Sequence, residues 1–223
     1  MINLFITIVF ILLTIILFKF SLLISKKISF INPILLTAII IIIILKIFKI
    51  PYSDYYKGGS LIAKVLGPIV VVLAIPLYKN RHDLMKNFVP IMGGVLASII
   101  TTFVSVIVLC KLFGVDETIM LSLLSKSITT PMAIESTKLL GGNEAITVLA
   151  VVITGLIGAA LAPIVIKLSK IKNNIAKGIG IGSASHAIGT TKAVEMNEDA
   201  GAASGLSIGV TGLLTIIAII IFA

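Results

Sequence analysis

Six long runs of apolar residues divide the sequence. They lie at about residues 2–24, 31–50, 61–78, 88–110, 145–166 and 203–222. A helix rises about 1.5 Å per residue, so about 20 apolar residues cross a hydrocarbon core of about 30 Å. The strands of membrane barrels are shorter and alternate in polarity. The pattern therefore predicts an all-α polytopic membrane protein with six full spans and no sheet.

The composition supports this prediction. Of the 223 residues, 58% are hydrophobic and 12% are charged, whereas about 25% of the residues in a soluble domain are charged. The net charge of +9 comes from basic residues dispersed among short loops, without the interleaved aromatic surface typical of nucleic-acid binding. We therefore expect a multi-pass protein of the cell membrane that contacts the lipid bilayer and binds no nucleic acid.

Three loops between the apolar runs carry most of the positive charge, at residues 26–27, 79–86 and 167–177. The positive-inside rule places all three in the cytoplasm and both termini outside, so an even number of crossings separates each pair of loops. Residues 118–140 lie between the second and third loops together with two full spans. This segment must therefore cross the membrane twice or not at all.

A re-entrant hairpin is the simplest arrangement for this segment. Its arms are residues 118–127 and 131–140, each about 15 Å long as a helix, so the polar tip reaches the middle of the bilayer. Thr130 before Pro131 is typical of a helix start with the threonine as N-cap, and Gly141 and Gly142 are typical of a helix end. We call residues 125–135 the first polar passage.

A second polar passage, residues 178–195, repeats features of the first. Both contain Ser-x-Ser, a Thr-Thr pair and a closing glutamate. Here we predict a turn at Gly189 and a short helix capped by Thr190 or Thr191. Two broken or re-entrant half-helix elements that enter from opposite faces form an inverted repeat, a construction common in secondary transporters. We therefore expect the two passages to be buried together.

The two passages predict a binding site for a small carboxylate. Helix N-termini, hydroxyl groups and lysines all favour an anion. The alternative is that the hydroxyls only satisfy backbone groups freed by the broken helices. The candidate substrate-binding residues are Ser125, Lys126, Ser127, Thr129, Thr130, Ser183, Ser185, His186, Gly189, Thr190, Thr191 and Lys192.

Three ionisable residues of the passages are candidates for ion or proton coupling. His186 could carry a proton near neutral pH, because ionisable groups at membrane depth are commonly functional. Glu135 and Glu195 are the other two, and the alternative is that they only pair with Lys138 and Lys192. The sequence contains no catalytic motif, zinc-ligand cluster or cofactor fingerprint, so we predict neither an enzyme nor a metal or cofactor site.

Three segments of the sequence resemble the LrgB/CidB family, which includes the C-terminal half of the plastidic glycolate/glycerate transporter. They read L-G-P-I-V-V-V-L-A-I-P-L-Y (66–78), K-S-I-T-T-P-M-A-I-E (126–135) and G-S-A-S-H-A-I-G-T-T-K-A (182–193). The similarity runs from about residue 55 to the end. It divides one membrane domain into N-terminal spans (1–54) and a transport core (55–223). Ser125 departs from the family pattern, in which proline precedes the Lys-Ser pair.

This resemblance implies two functions of different classes. One is transport of small monocarboxylates such as glycolate, glycerate or pyruvate, together with a small LrgA/CidA-type membrane protein. The other is an antiholin-like role in murein hydrolase export and autolysis. The residues favour the first, because a holin-like pore has no need of two buried, polar half-helices. The sequence leaves open whether the chain also forms a homo-oligomer.

Overall fold

The computed structural model describes residues 2–28, 33–65, 68, 74–79 and 81–222. In this part of the chain every regular element is a helix. The helices are α1 (Ile2–Lys27), α2 (Pro33–Ile47), α3 (Tyr52–Lys64), α4 (Ala74–Lys79), α5 (Arg81–Lys86), α6 (Phe88–Leu112), α7 (Glu117–Leu124), α8 (Thr130–Leu140), α9 (Glu144–Leu168), α10 (Asn174–Met196) and α11 (Glu198–Phe222). They form two compact units, Met1–Leu66 and Gly67–Ala223. The predicted boundary between the N-terminal spans (1–54) and the transport core (55–223) separates parts by function, and it stays a prediction.

Among the described residues, four helices are long and apolar enough to cross a membrane, namely α1, α6, α9 and α11. They correspond to four of the six predicted runs. Helix α2 is apolar, but its 15 residues rise only about 22 Å, less than the thickness of a hydrocarbon core. The run at 61–78 lies largely outside the described residues, between the end of α3 at Lys64 and α4 at Ala74. The count of six spans therefore stays a prediction.

In the first unit, α3 packs against α1. Gly58 is buried because α1 approaches it so closely that an added Cβ would lie 2.9 Å from Phe10 Cβ. The Tyr55 ring packs edge-on against Phe10 with centroids 5.7 Å apart. Residues 51–60 read P-Y-S-D-Y-Y-K-G-G-S, a composition that predicts a turn-rich loop, yet Tyr52–Lys64 form a helix, so that prediction is wrong. Pro51 precedes α3 as its N-cap residue, a position where a missing N–H costs nothing.

The second unit is built on the close pair α10 and α11. Gly178 and Gly182 lie one turn apart on α10 and face α11, where a Cβ added to Gly182 would lie 2.9 Å from Ser204 Cα. Small residues at this spacing let two helix backbones approach closely. Helix α6 packs across the pair, and its Ile91 lies in a buried apolar cluster with Ile179 of α10. This cluster is the core of the unit.

The first polar passage forms the turn between α7 and α8 and the first half of α8. Asp116 caps α7 by accepting a hydrogen bond of 2.8 Å from the Thr118 backbone N–H. Gly141, with a φ of 73°, ends α8 as predicted, and the N–H of Gly142 donates to Thr137 O at 3.0 Å. The segment predicted as a hairpin is therefore two short helices joined at residues 125–129.

The start of α8 differs from the prediction by one residue. Thr129 occupies the N-cap position with an extended backbone (φ −65°, ψ 145°), and Thr130 is the first helical residue. Pro131 then falls within the first turn. Proline is tolerated there because the first N–H groups of a helix have no acceptor within the helix. The predicted N-cap role of Thr130 is therefore wrong.

The second polar passage lies within α10, which runs on through Gly189. The helix has one non-helical residue, His186, with φ 42° and ψ −142°. The predicted turn at Gly189 is therefore wrong. Gly189 serves packing instead, since a Cβ there would lie 2.5 Å from Ser185 Cβ.

The predicted caps at Thr190 and Thr191 are also wrong. Thr190 Oγ1 donates to His186 O at 3.0 Å and lies 2.7 Å from Ser204 Oγ on α11. Thr191 Oγ1 donates to Ile188 O. Both hydroxyls bond to carbonyls of the preceding turn rather than to free N–H groups, because the helix has already begun before them.

Candidate functional site

Buried hydroxyls hold the base of the α7–α8 turn against α9. Ser122 Oγ accepts a hydrogen bond of 2.7 Å from the Asn143 N–H and donates to Thr118 O at 2.6 Å. Thr147 Oγ1 lies 2.9 Å from Ser122 O and 2.8 Å from Thr137 Oγ1. This network fixes where the tip of the turn lies.

The tip opens into a groove of about 400 Å³ between α6, α9 and α10. Both polar passages contribute to its wall. Its polar side chains come from four parts of the chain and are Thr101, Thr102, Ser105, Lys126, Ser127, Thr154 and Ser185. The groove thus brings together Lys126, Ser127 and Ser185 of the predicted set.

Among the described residues that line the groove, Lys126 is the one ionisable residue. Its side chain is half-buried. Within the described ranges, its ammonium forms no ion pair with a carboxylate and no hydrogen bond to an acceptor. A half-buried cation without a counter-ion favours an anion beside it, because burial without a partner is costly.

A smaller cavity of about 10 Å³ adjoins the groove. Thr102 and Ser127 line both spaces. The cavity is also lined by hydroxyls from α6, α10 and α11, namely Ser98, Ser183, Thr211 and Thr215. Its volume is close to the smallest that holds a water molecule.

Both spaces lie beside the middle of the membrane-length helices. Helix α6 runs from Phe88 to Leu112, so residue 100 is its midpoint, next to Thr101 and Thr102. Residue 156 is the midpoint of α9, between Thr154 and the groove-lining Ile157. The tip of the α7–α8 turn therefore lies level with the centres of α6 and α9.

His186 lies behind the groove, against α9. It is buried, and its Nε2 donates a hydrogen bond of 2.9 Å to Val151 O. A Cβ on Gly155 would lie 2.7 Å from His186 Cε1, and one on Gly158 would overlap Ser185 Oγ. These two glycines of α9 therefore make room for the break in α10. His186 does not line the groove, although its neighbour Ser185 does.

The remaining predicted residues lie away from the groove. Lys192 pairs with Glu195 at 2.8 Å and Lys138 with Glu135 at 3.0 Å, as expected from their spacing, and all four side chains are more than a third exposed. The substrate and coupling roles of these residues stay predictions. The other predicted residues that do not line the groove are Ser125, Thr129, Thr130, Ser183, Gly189, Thr190 and Thr191.

Two of these residues carry buried hydroxyls without a hydrogen-bond partner in the described ranges, Ser125 and Thr129. Thr129 is the N-cap of α8 yet makes no capping bond. Because an unmade hydrogen bond at a buried hydroxyl is unfavourable, the tip of the turn is more polar than its own fold requires. For Ser125 and Thr129 this argues against the alternative in which the hydroxyls only satisfy the backbone. In the second passage, Ser183, Thr190 and Thr191 do donate to backbone carbonyls, as that alternative expects.

Sequence reasoning missed the hydroxyls that α6, α9 and α11 contribute. A signal was present, because Thr101, Thr102 and Ser105 interrupt the centre of an apolar run. Thr154 and Thr211 interrupt two further runs in the same way. A hydroxyl in the middle of a membrane span is expected to face a polar protein interior rather than lipid.

The chain is similar to proteins of the LrgB-like family over most of its length. The model of the LrgB-like family matches residues 14–223, which extends the resemblance well before residue 55. The uncharacterised protein YxaC of Bacillus subtilis (strain 168) is 43% identical over 185 residues, covering 83% of this chain and 80% of the relative. Holin-like protein CidB of Staphylococcus aureus (strain N315) is 40% identical over 207 residues, covering 92% and 90%.

A third relative carries the opposite functional name. Antiholin-like protein LrgB of Bacillus subtilis (strain 168) is 34% identical over 198 residues, covering 89% of this chain and 86% of the relative. No solved structure matches the chain. The family match over residues 14–223, together with four helices able to cross a membrane, shows that the chain is a multi-pass membrane protein of the LrgB-like family.

Proposed function

We propose that the protein transports small monocarboxylates and that the groove beside Lys126 is the substrate site. The observation that carries this proposal is the half-buried ammonium of Lys126, which has no acidic partner in the described ranges and faces a groove lined by hydroxyls. One unpaired positive charge matches a substrate with one carboxylate. Hydroxyls of Ser127 and Ser185 can then bond to the oxygen next to that carboxylate in glycolate, glycerate or pyruvate.

Transport rather than static binding is supported by the position of the groove. It lies level with the middle of α6 and α9, and secondary transporters bind their substrates near the bilayer midplane beside broken helices. In this proposal α7 and α8 form a re-entrant hairpin, and the break at His186 lets the two halves of α10 move separately. His186, Glu135 and Glu195 remain the proposed coupling residues, and a small LrgA/CidA-type membrane protein remains the proposed partner.

Uptake of labelled glycolate, glycerate and pyruvate into proteoliposomes, with and without the partner subunit, tests this function. Lys126→Gln should raise KM by about tenfold or more, because a hydrogen bond to a charged group contributes about 1.5–3 kcal/mol and each 1.4 kcal/mol is about tenfold. The variant should stay as stable as the wild type, since the replaced charge has no partner within the folded chain.

Lys111→Gln is the matched control. Lys111 lies on α6, which also lines the groove, but it is exposed in the last turn of that helix and does not line the groove itself. Its replacement should leave KM unchanged. Equal KM values for wild type and Lys126→Gln, in a protein that transports, would exclude Lys126 as the carboxylate ligand.

The names of the relatives favour a second candidate, regulation of murein hydrolase export and autolysis, since they describe holin-like and antiholin-like proteins. The two candidates differ in the vesicle experiment. A pore-associated role predicts leakage of dye-sized solutes, whereas a transporter keeps such a dye inside while it takes up the labelled acid. Dye leakage without saturable uptake would decide for the second candidate.

A further inference from the structure

Six hydroxyl side chains from four parts of the chain line the cavity of about 10 Å³ next to the groove. The other described lining residues are apolar, namely Ile99, Phe103, Leu124 and Ile128, and none of the described ones is charged. Thr211 is 98% buried, and its Oγ1 has no hydrogen-bond partner among the described residues. Such a group is unfavourable unless the cavity holds something that binds it.

The electrostatics of the cavity favour a positive occupant. Leu124 lines the cavity and is the last residue of α7, so the negative end of that helix dipole faces this space. Ser183 lies in the last turn of α10 before the break at His186, and its carbonyl accepts a hydrogen bond of 3.1 Å from Ser98 Oγ. Two helix ends of negative partial charge therefore meet at this space, whereas Lys126, which precedes Ser127, lines the adjoining groove and not the cavity.

We propose that this cavity is a sodium site, with Ser127 and Thr211 among its ligands. Neutral oxygens at half-helix ends are suited to an alkali cation, and the small volume favours sodium over the larger potassium ion. The site does not depend on the proposed transport function, because it is argued from the cavity and not from the groove.

Coupling between sodium binding in the cavity and carboxylate binding in the groove does rest on the proposed carboxylate site. Thr102 and Ser127 line both the cavity and the groove. A hydroxyl has lone pairs that can face a cation and one hydrogen that it can donate to an anion. Sodium on one side thus orients these hydroxyls towards a carboxylate on the other, and each ligand strengthens the binding of the other.

Thermal unfolding of the purified full-length protein in NaCl, KCl and choline chloride at equal ionic strength tests the site. Sodium should raise the apparent Tm above its value in the other two salts. In Thr211→Val, the apparent sodium affinity taken from a titration of Tm should fall by about tenfold or more, which corresponds to the loss of one good ligand. In choline the variant should be at least as stable as the wild type, because valine removes an unpartnered buried hydroxyl.

Thr37→Val is the control. Thr37 is also a buried threonine, but its hydroxyl donates to Pro33 O within α2, and its replacement should leave the sodium dependence intact. If Thr211→Val does not fold, Thr215→Val tests the same cavity. Equal Tm values for the wild type in all three salts would overturn the proposal and leave the cavity to a water molecule.

The effect of glycolate on sodium binding distinguishes a failure of the sodium site from a failure of the proposed transport function. If both hold, glycolate should strengthen sodium binding in the wild type. Sodium stabilisation that glycolate does not change would support the ion site and remove its link to the carboxylate.

Discussion

Gly182→Ala tests the close approach of α10 and α11, on which the position of the second polar passage depends. Three glycines alternate with isoleucines at residues 178–182. Gly178 and Gly182 face α11, whereas a Cβ on Gly180 would have no heavy atom of the described residues within 4 Å. The same substitution at Gly180 is therefore a control from the same helix, two residues away.

The expected magnitude follows from what the new methyl group meets. At Gly182 the added Cβ would overlap Ser204 O and lie 2.9 Å from both Ser204 C and Ser204 Cα. Backbone atoms of a helix cannot rotate away, so α10 and α11 must separate by about 1 Å for the added Cβ and Ser204 O to reach ordinary contact. Overpacking of this kind costs about 1–3 kcal/mol. Gly180→Ala should instead stabilise the helix by about 1 kcal/mol, the usual difference between alanine and glycine.

Thermal unfolding in detergent measures both variants. Gly182→Ala should lower the apparent Tm and Gly180→Ala should raise it or leave it unchanged. Separation of the helices also lengthens the bond of 2.7 Å between Thr190 and Ser204, so Gly182→Ala should lose part of that contribution too. Equal stability of the two alanine variants would refute the packing of α10 on α11 described above.

Two further predictions concern α10. Thr190→Val should lower the free energy of unfolding by about 1 kcal/mol because its hydrogen bonds are lost. Thr191 is exposed, so Thr191→Val should change the stability little. Thermal unfolding compares the two variants, and equal losses of stability would contradict the role of Thr190. If His186 carries a coupled proton, uptake should depend on pH through the titration of that residue. His186→Gln keeps a donor for Val151 O but should abolish that pH dependence, and unchanged pH-dependent uptake would limit His186 to a structural role.

The sequence predicted the helical class and the long spans because both follow from local composition. Four apolar runs became helices α1, α6, α9 and α11, and Gly141 ended α8 where the glycine pattern placed it. The ion pairs of Glu135 and Glu195 were also predictable, since residues three apart on a helix are neighbours. Each of these features depends only on residues close in sequence.

The errors have a common cause, which is that glycine and threonine are ambiguous without knowledge of their neighbours. Gly58 and Gly189 suggested turns, yet both lie within helices because another side chain or helix needs the space of their missing Cβ. Thr190 suggested a cap, yet its hydroxyl bonds to α11. Tertiary packing decides between these roles, and a single sequence does not contain it.

The repeated Ser-x-Ser pattern gains a specific meaning from the structure. Successive residues on a helix are rotated by about 100°, so two serines separated by one residue point in nearly opposite directions. In α10, Ser183 accordingly lines the small cavity and Ser185 lines the groove. In the first polar passage the two serines lie in a turn, where Ser127 lines both spaces and Ser125 lines neither. The Ser125 hydroxyl is buried and has no hydrogen-bond partner among the described residues. Each passage therefore supplies hydroxyls to both the groove and the cavity, the first from a turn and the second from a broken helix.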